Sequence, residues 1–197
     1  MIKIISDGLN YGGAPLMSGQ VKNFDAATEA AYVATGKAIY LGKSCFGGVN
    51  AIGQQHAAVS APANTSENTL YSLNIPGGTL GPNDSLRVTS VWTMTNSANN
   101  KTVNTKLGGS NIGSVVNTAV ATYKEQRQVS NRGVQNSQVA FVSAFGGLGQ
   151  SSVAVSALSI DTTKDQLLTV TGTKATAGET LTLESVLVEV INAATPV

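Results

Sequence analysis

The segment 70–88 constrains the fold more than any other part of this sequence, because it holds two strand patterns on either side of a turn cluster. Apolar residues occupy alternate positions on both sides: Tyr71, Leu73 and Ile75 before the turn, and Leu86, Val88, Trp92 and Met94 after it. Each run can therefore bury one face and expose the other. Between them, Pro76 and Pro82 lack the N–H that a central strand donates, and the Gly77-Gly78 pair permits positive φ. The segment predicts a sheet corner at the start of a β domain.

From Glu67 onward the β pattern continues, with turn signals at short intervals. This arrangement is typical of an antiparallel sandwich, and eight or nine strands fit a jelly roll. Strands are predicted at 69–75, 85–95, 101–107, 112–122, 123–130, 138–145, 152–160, 166–172 and 179–193. Hairpin tips are predicted at 96–100, 108–111 and 146–149, where Asn and Gly cluster.

The first part of the chain has a different pattern. Residues 1–41 predict a small α+β attachment unit with strands near 2–5, 20–24 and 37–41, and a helix over 26–35 that Asp25 caps and Gly36 ends. Forty residues bury little core, so we expect this unit to need docking. Residues 42–66 are rich in Gly, Ala, Ser and Gln and carry one charged residue, Lys43. They predict a polar linker before a jelly-roll-like β domain at 67–197.

Charge excludes some partners. The chain has 197 residues, with 12 Lys and Arg against 11 Asp and Glu, a formal net charge of +1. Such a chain creates no field that would gather nucleic acid or anionic lipid, so neither nucleic acid nor a membrane is an expected partner. No apolar run approaches the roughly 20 residues of a membrane span. We expect a soluble protein that is made in a cytoplasm.

Two stretches depart from simple alternation and suggest a second contact surface. Between Arg132 and Asp161 no residue is charged and apolar residues occupy both parities. In the last strand the apolar parity changes between Leu183 and Val186, which indicates a bulge or a second contact surface. We expect a homo-oligomer to bury these faces. The candidate interface residues are Val139, Phe141, Phe145, Val153, Val155, Val186 and Val188.

The sequence shows no pattern that predicts a catalytic residue, a metal ligand or a cofactor site. His56 is the only histidine and lies in the predicted linker, and Cys45 has no partner cysteine or neighbouring base. The carboxylates are scattered, and long charged strand residues usually form a solvated face. We interpret Lys124, Arg127 and Arg132, with Glu125 among them, as such a face. Trp92 has the inward parity of a strand and is predicted to be in the core.

Several segments resemble virion proteins of tailed bacteriophages, in particular jelly-roll capsid decoration (cement) proteins and head-fibre proteins. The resemblance rests on the following segments: Ser6–Tyr11, Phe24–Ala30, Val33–Ala38, Asn74–Leu80 and Asn99–Thr102. It implies a non-enzymatic structural protein with a small attachment domain and an outward jelly roll. The partners that it implies are the major capsid protein and further copies of the chain, a trimer rather than a dimer. The implied location is the outer capsid surface of the virion.

Candidate capsid contacts in the attachment unit are Tyr11, Leu16, Phe24 and Tyr32, although Phe24 and Tyr32 could equally form a local core. Two other functions stay open. A tail-associated or fibre-associated host-recognition module would bind a surface glycan through loops near 96–100 and 146–150. A small glycan hydrolase would bring two of the scattered carboxylates together in space.

Overall fold

The computed structural model describes residues 48–140 and 155–193, and before them residue 28 and the strands within residues 2–40. The chain divides into two compact units, one of residues 1–48 with 194–197 and one of residues 49–193. In the first unit, antiparallel strands form one three-stranded sheet, in the order β4-β1-β5, and one hairpin, β2-β3. Their bounds are β1 Ile2–Ile4, β2 Leu9–Tyr11, β3 Ala14–Leu16, β4 Val21–Lys22 and β5 Ala38–Tyr40. Of the predicted helix, only Thr28 lies among the described residues, and it is helical.

The second unit is an antiparallel β sandwich of two sheets. One sheet has the order β14-β13-β12-β9-β16-β6, with β7 also paired to β16, and the other has the order β11-β10-β15-β8. The strands are β6 Gly48–Gln55, β7 Val59–Ser60, β8 Asn68–Ile75, β9 Ser85–Met94, β10 Lys101–Leu107, β11 Ser110–Asn117, β12 Thr122–Asn131, β13 Gln138–Ala140, β14 Ser156–Leu158, β15 Gln166–Lys174 and β16 Leu181–Asn192. We call them the first sheet and the second sheet.

The connections make this sandwich a jelly roll. The chain passes from β7 in the first sheet to β8 in the second, returns to β9, crosses to β10, and crosses back after the β10-β11 hairpin. With β13 and β14 set aside as an addition at one edge, and β6 and β7 counted as one interrupted strand beside β16, the eight-strand pattern of two wound Greek keys remains. The predicted corner is therefore confirmed, because residues 76–84 carry the chain from one sheet to the other.

Antiparallel pairing gathers the connections at the two ends of the sandwich. Residues 61–67, 95–100, 118–121 and 175–180 lie at one end, which we call the loop end. Residues 76–84, 108–109, 132–137 and 159–165 lie at the other. The chain also enters and leaves the jelly roll there, since the Asn50 amide donates to Asn192 Oδ1 at 2.8 Å. We call this the connection end.

The core lies between the two sheets, and strand periodicity accounts for it. Every second residue of β9 is buried, from Leu86 to Met94, and Trp92 is fully buried as predicted. In β16 a register shift between Leu183 and Ser185 restores the alternation. Because of this bulge Leu181 and Leu183 face the same core as the valines that follow them. The change of parity in the sequence is thus a bulge.

The structure corrects the predicted linker and one of the predicted hairpin tips, and parts of two predicted strands lie outside the described residues. The segment predicted as a linker, 42–66, contains β6 and β7, which extend the first sheet because Ile52 and Val59 pack against the core. Residues 96–100 connect different sheets and are not a hairpin tip, whereas Gly108 and Gly109, with φ of 55° and 80°, do form one. Predicted strand residues 141–145 and 152–154 and the tip at 146–149 lie outside the described residues. No helix in the described part of the chain has the length and apolar character needed to cross a bilayer.

Candidate functional site

Three of the four connections at the loop end, 95–100, 118–121 and 175–180, are joined by backbone hydrogen bonds. Ala119 N–H donates to Ser97 O at 2.6 Å, and Thr95 N–H donates to Thr180 O at 3.1 Å. Ala175 N–H donates to Asn100 O at 2.9 Å. Bonds between separate loops restrict their relative motion, so this end of the sandwich is a held platform.

Lys101 begins β10 and is fully buried beneath these loops. Its Nζ donates to Ser97 Oγ at 2.6 Å and to Asn99 O at 2.9 Å, and lies 3.2 Å from Glu179 Oε2. An ammonium group without such partners would be expensive to bury. The lysine therefore ties the start of its own strand to two different loops.

Directly across the strand pair from Lys101 lies Asn117, its Cα partner in the β10-β11 ladder. Asn117 is 7% exposed, and its amide nitrogen Nδ2 has no hydrogen-bond partner. Buried polar groups are almost always paired, so this amide is an exception that requires a reason. A buried lysine that contacts a carboxylate and a buried asparagine with an unpaired amide nitrogen thus lie opposite each other at the start of this strand pair.

A second buried lysine closes the same end. Lys174, at the end of β15 and 3% exposed, points its Nζ at three backbone carbonyls. It donates to Glu179 O at 2.8 Å, to Ala177 O at 3.2 Å and to Ala61 O at 3.4 Å. Because these carbonyls belong to two connections, Lys174 fastens the segments 61–67 and 175–180 together.

Glu179 holds the polar partners of this cluster in place. Ser97 Oγ donates to its Oε1 at 2.5 Å and Asn99 Nδ2 donates at 2.9 Å. These hydrogen bonds, first that from Ser97, lower the pKa of Glu179, and the charge of Lys101 lowers it further. The carboxyl group is therefore held in its ionised form at neutral pH.

A second charged group lies in the middle of the core. Glu125 and Arg127, on β12, are 3% and 2% exposed, and Arg127 Nε donates to Glu125 Oε2 at 3.0 Å. Thr105, on the second sheet, donates to Glu125 Oε1 at 3.3 Å, so the pair links the two sheets. Burial raises the pKa of Glu125. The expectation of a solvated face here is wrong for these two residues, because they share the inward parity of Val129, and holds for Lys124 and Arg132, which are exposed.

Gly113 makes room for this pair on the facing sheet. A Cβ atom at position 113 would lie 2.5 Å from the Arg127 Cγ and Cδ atoms. Contacts that short do not occur between real carbon atoms, so a larger residue would displace the arginine. The absence of a side chain at Gly113 thus allows the two sheets to approach each other closely at Arg127.

The connection end is organised around Asp84, which is 7% exposed. Its carboxylate accepts hydrogen bonds from Gly81 N–H at 2.8 Å, from Asn192 Nδ2 at 2.9 Å and from Ala193 N–H at 2.8 Å. At the same end of the sandwich there is a groove of about 630 Å³, lined in part by Pro82, Val134, Gln135, Asn136, Ser159 and Asp161. The carboxylate pins the point where the chain leaves the jelly roll.

Among the described residues predicted as oligomer contacts, two lie in the core and two lie in the β13–β14 region. Val186 and Val188 are fully buried in the core of the chain itself, so they offer nothing to a second copy. Of the two explanations for the parity change, a bulge or a second contact surface, the structure shows the bulge. Val155 is 61% exposed and Val139 is half-buried. Phe141, Phe145 and Val153 lie outside the described residues.

Of the predicted capsid contacts, Tyr11 and Leu16 lie on the two strands of the β2-β3 hairpin, and Phe24 and Tyr32 lie outside the described residues. His56 is exposed just after β6. Within the described residues no three His, Cys, Asp or Glu side chains are grouped to hold a metal ion.

Sequence reasoning missed the two buried lysines and the buried pair, although a signal existed. Lys101 shares the parity of Val103 and Leu107, and Lys174 shares that of Leu168 and Val170. Period-two alternation therefore assigns all four charged residues to the inward face. The rule that charges stay in solvent overrode that assignment.

Comparison with known proteins gives little. No protein-family model matches the sequence, and no curated protein matches it. A chain in the structure of the Gx strain of infectious bursal disease virus aligns with a TM-score of 0.29 and 14% sequence identity. The alignment covers 74% of this chain and 40% of that one. The chain thus spans well under half of the length of that viral protein.

Proposed function

We propose that this chain is a non-enzymatic structural protein of a virion, which binds the assembled capsid surface as a symmetric homo-oligomer and decorates or stabilises it. The observation that carries the proposal is the placement of both chain connections at one end of a jelly roll. Asp84, Asn50 and Asn192 fix these connections, and the joined loops lie at the opposite end. Such a domain can be presented from one end with the other end outward.

The remaining support is chemical. Only 12% of the residues are charged, and Thr, Ser, Asn and Gln occupy much of the outward faces of the strands. Jelly rolls recur in viral capsids, although they also recur in lectins, so the fold alone does not decide the function. Weak contacts by a small docking unit become strong when a symmetric oligomer presents several copies at once.

The attachment unit is the proposed contact. Residues 1–41 would dock on the major capsid protein through Tyr11, Leu16, Phe24 and Tyr32, and a trimer is the proposed oligomer. Binding that requires the assembled lattice would stabilise the shell by mass action.

A co-sedimentation experiment tests this proposal. Full-length protein is mixed with assembled capsids of the virus that encodes it, and so are a Tyr11→Ala, Leu16→Ala double variant and a matched Leu167→Ala variant. Leu167 is 51% exposed on the jelly roll, so its substitution serves as the control. We expect the double variant to lose binding at least tenfold and the control to bind as the wild type. Equal binding by all three, or no binding of the full chain, would reject the proposed contact.

Two direct measurements complete the test. Electron microscopy of the particles locates the chain on the capsid or elsewhere, and light scattering gives the oligomeric state. A stable monomer at micromolar concentration would contradict the oligomer.

The held platform at the loop end favours a second candidate, a tail-associated or fibre-associated module that recognises a surface glycan. Rigid loops lower the entropic cost of binding a ligand. Asn96 and Asn100 are exposed on one of these loops, where their amides could contact sugar hydroxyls. Binding of the full chain to a glycan array, abolished by substitution of these two residues with alanine and without binding to capsids, would favour this candidate.

A further inference from the structure

We propose that Lys101 and Asn117 are joined by an intramolecular isopeptide bond, which the folded jelly roll forms by itself with Glu179 as the proton carrier. The proposal depends on the loop end of the sandwich and is independent of any capsid. It gives a reason for the unpaired buried amide of Asn117 and for its position opposite a buried lysine that contacts Glu179.

The first step is the position of the two reacting groups. Lys101 and Asn117 are direct Cα partners on neighbouring antiparallel strands, and both side chains are buried. Directly opposed residues on one face of a sheet have Cβ atoms about 4.5–5.5 Å apart. The flexible four-carbon stem of a lysine can bring its nitrogen to the side-chain carbonyl carbon of the residue opposite.

The second step is the state of the amide. Asn117 Nδ2 has no hydrogen-bond partner although it is buried, which is unusual for a group that would otherwise be expensive to bury. An amide nitrogen that leaves as ammonia needs no permanent partner. The orphaned group is thus the one that the reaction removes.

The third step is the carboxylate. Glu179 Oε2 lies 3.2 Å from Lys101 Nζ, close enough to accept its proton. Ser97 and Asn99 hold the other oxygen, Oε1, so that the carboxylate cannot turn away.

The atoms and charges balance without an oxidant or cofactor. Lys101 Nζ passes one proton to Glu179, its lone pair attacks Asn117 Cγ, and a new N–C bond forms. The Cγ–Nδ2 bond then breaks, and the nitrogen leaves as ammonia with protons that the lysine has given up. The net change is an ammonium plus an amide giving a substituted amide plus an ammonium ion.

The surroundings favour this chemistry over hydrolysis. Lys101 is fully buried and Asn117 nearly so, beneath connections that are bonded to one another, which limits access of water to the carbonyl carbon. Fixing the two groups side by side replaces a bimolecular encounter with an intramolecular one. The product would close the open end of the β10-β11 hairpin.

Intact mass measurement under denaturing conditions tests the proposal on the full chain after ageing at pH 8. The wild type should lose about 17 Da, the mass of ammonia, relative to its sequence. Variants Lys101→Met, Asn117→Ala and Glu179→Gln should keep the full mass. The matched controls Lys106→Met and Asn104→Ala remove a lysine and an asparagine of the same strand, β10, whose partner Glu67 lies outside this cluster, and should still show the loss.

Cyclisation of an asparagine on its own backbone also releases ammonia, so a linked peptide is required. Trypsin should yield residues 88–106, uncut at Lys101, joined to residues 107–124. The Asn117→Asp variant should lose water, about 18 Da, and reach the same linked product. Because Asn117→Asp keeps the size of the side chain, it tests the role of position 117 if Asn117→Ala fails to fold.

Trp92 fluorescence identifies folded samples, since this single tryptophan is fully buried. A folded wild type that retains its full mass overturns the proposal. A loss of ammonia without the linked peptide, or a linked peptide in Asn117→Ala, overturns it equally.

Discussion

At the scale of single residues, the ion pair of Glu125 and Arg127 is the most consequential feature of the core. Burial of two charges is costly, and the cost is offset only when geometry and further hydrogen bonds are good. Thr105 and Ser90 contribute such contacts to Glu125, and Trp92 Nε1 donates to Ser90 Oγ at 2.9 Å. The pair therefore fixes the position of one sheet relative to the other as well as the distance between them.

Removal of one member of the Glu125–Arg127 pair should lower the stability of the fold much more than removal of both. We expect Arg127→Met to lower the free energy of unfolding by about 3–5 kcal/mol, because Glu125 is left buried and unpaired. The double variant Glu125→Leu, Arg127→Met should lose less than either single variant. Urea unfolding followed by Trp92 fluorescence measures this, and Arg132→Met, at an exposed position of the same sequence cluster, is the control.

The pair also gives stability a pH dependence of known sign. Because burial raises the pKa of Glu125 above its ordinary value of 4.5, the folded state holds the proton more tightly than the unfolded chain does. The contribution is fully present below pH 4.5 and is lost as pH rises through the folded pKa. The wild type should therefore lose stability relative to Glu125→Gln from pH 4.5 upward, and a difference between the two that is constant with pH would contradict this assignment.

At the scale of elements, the bulge in β16 decides which side chains of the last strand enter the core. Glu184 is the additional residue, and its carboxylate accepts a hydrogen bond from the Thr93 hydroxyl. Without an extra residue, the parity of Leu181 and Leu183 would be opposite to that of the following valines. The bulge thus allows one strand to fill the whole length of the first sheet.

Deletion of Glu184 should therefore unfold the domain, whereas substitution should not. A register shift that exposes Leu181 and Leu183 removes about 3–6 kcal/mol of burial, a large part of a typical stability. Glu184→Ala keeps the residue count and should lose about 1 kcal/mol, the value of one hydrogen bond. The measurement is the midpoint of urea unfolding, and a deletion variant as stable as Glu184→Ala would show that the bulge carries no register.

At the scale of the whole molecule, every member of the described hydrophobic core lies in the jelly roll, between Ala61 and Val190. The chain enters and leaves this unit at one end, where Asp84 anchors residues 192 and 193. A unit with its own core and adjacent ends has what independent folding requires.

A fragment of residues 48–193 should consequently fold alone. We expect its melting temperature, followed by Trp92 fluorescence, to lie within about 5 °C of that of the full chain. A fragment of residues 1–47 should be unfolded, since so short a chain buries little core. If residues 48–193 show the fluorescence of an exposed tryptophan, the jelly roll depends on the first unit.

Much of the fold could be predicted from alternation and turn residues. The predicted strands 101–107 and 85–95 agree within one residue with β10 and β9, because long runs with period two and clear turns leave few other structures. The linker prediction for 42–66 failed because the apolar residues that reach the core there, Ile52 and Val59, are too sparse to signal a strand. The segments that contain them become strands β6 and β7 only because both pair with the open edge of β16.

By itself, then, the sequence determined the long strands with clear alternation, such as β9 and β10, and the corner at Pro76–Pro82, since backbone geometry and proline chemistry act locally. Only the tertiary structure decided which strands share a sheet and which charged residues lie inside. A buried charge is stable only with its partners, and folding brings Glu179 from a distant loop to Lys101 and Thr105 from the facing sheet to Glu125. The pattern of segment 70–88 thus predicted a β sandwich. The loop end and the connection end, on which the proposed functions depend, follow from the order in which the strands are connected.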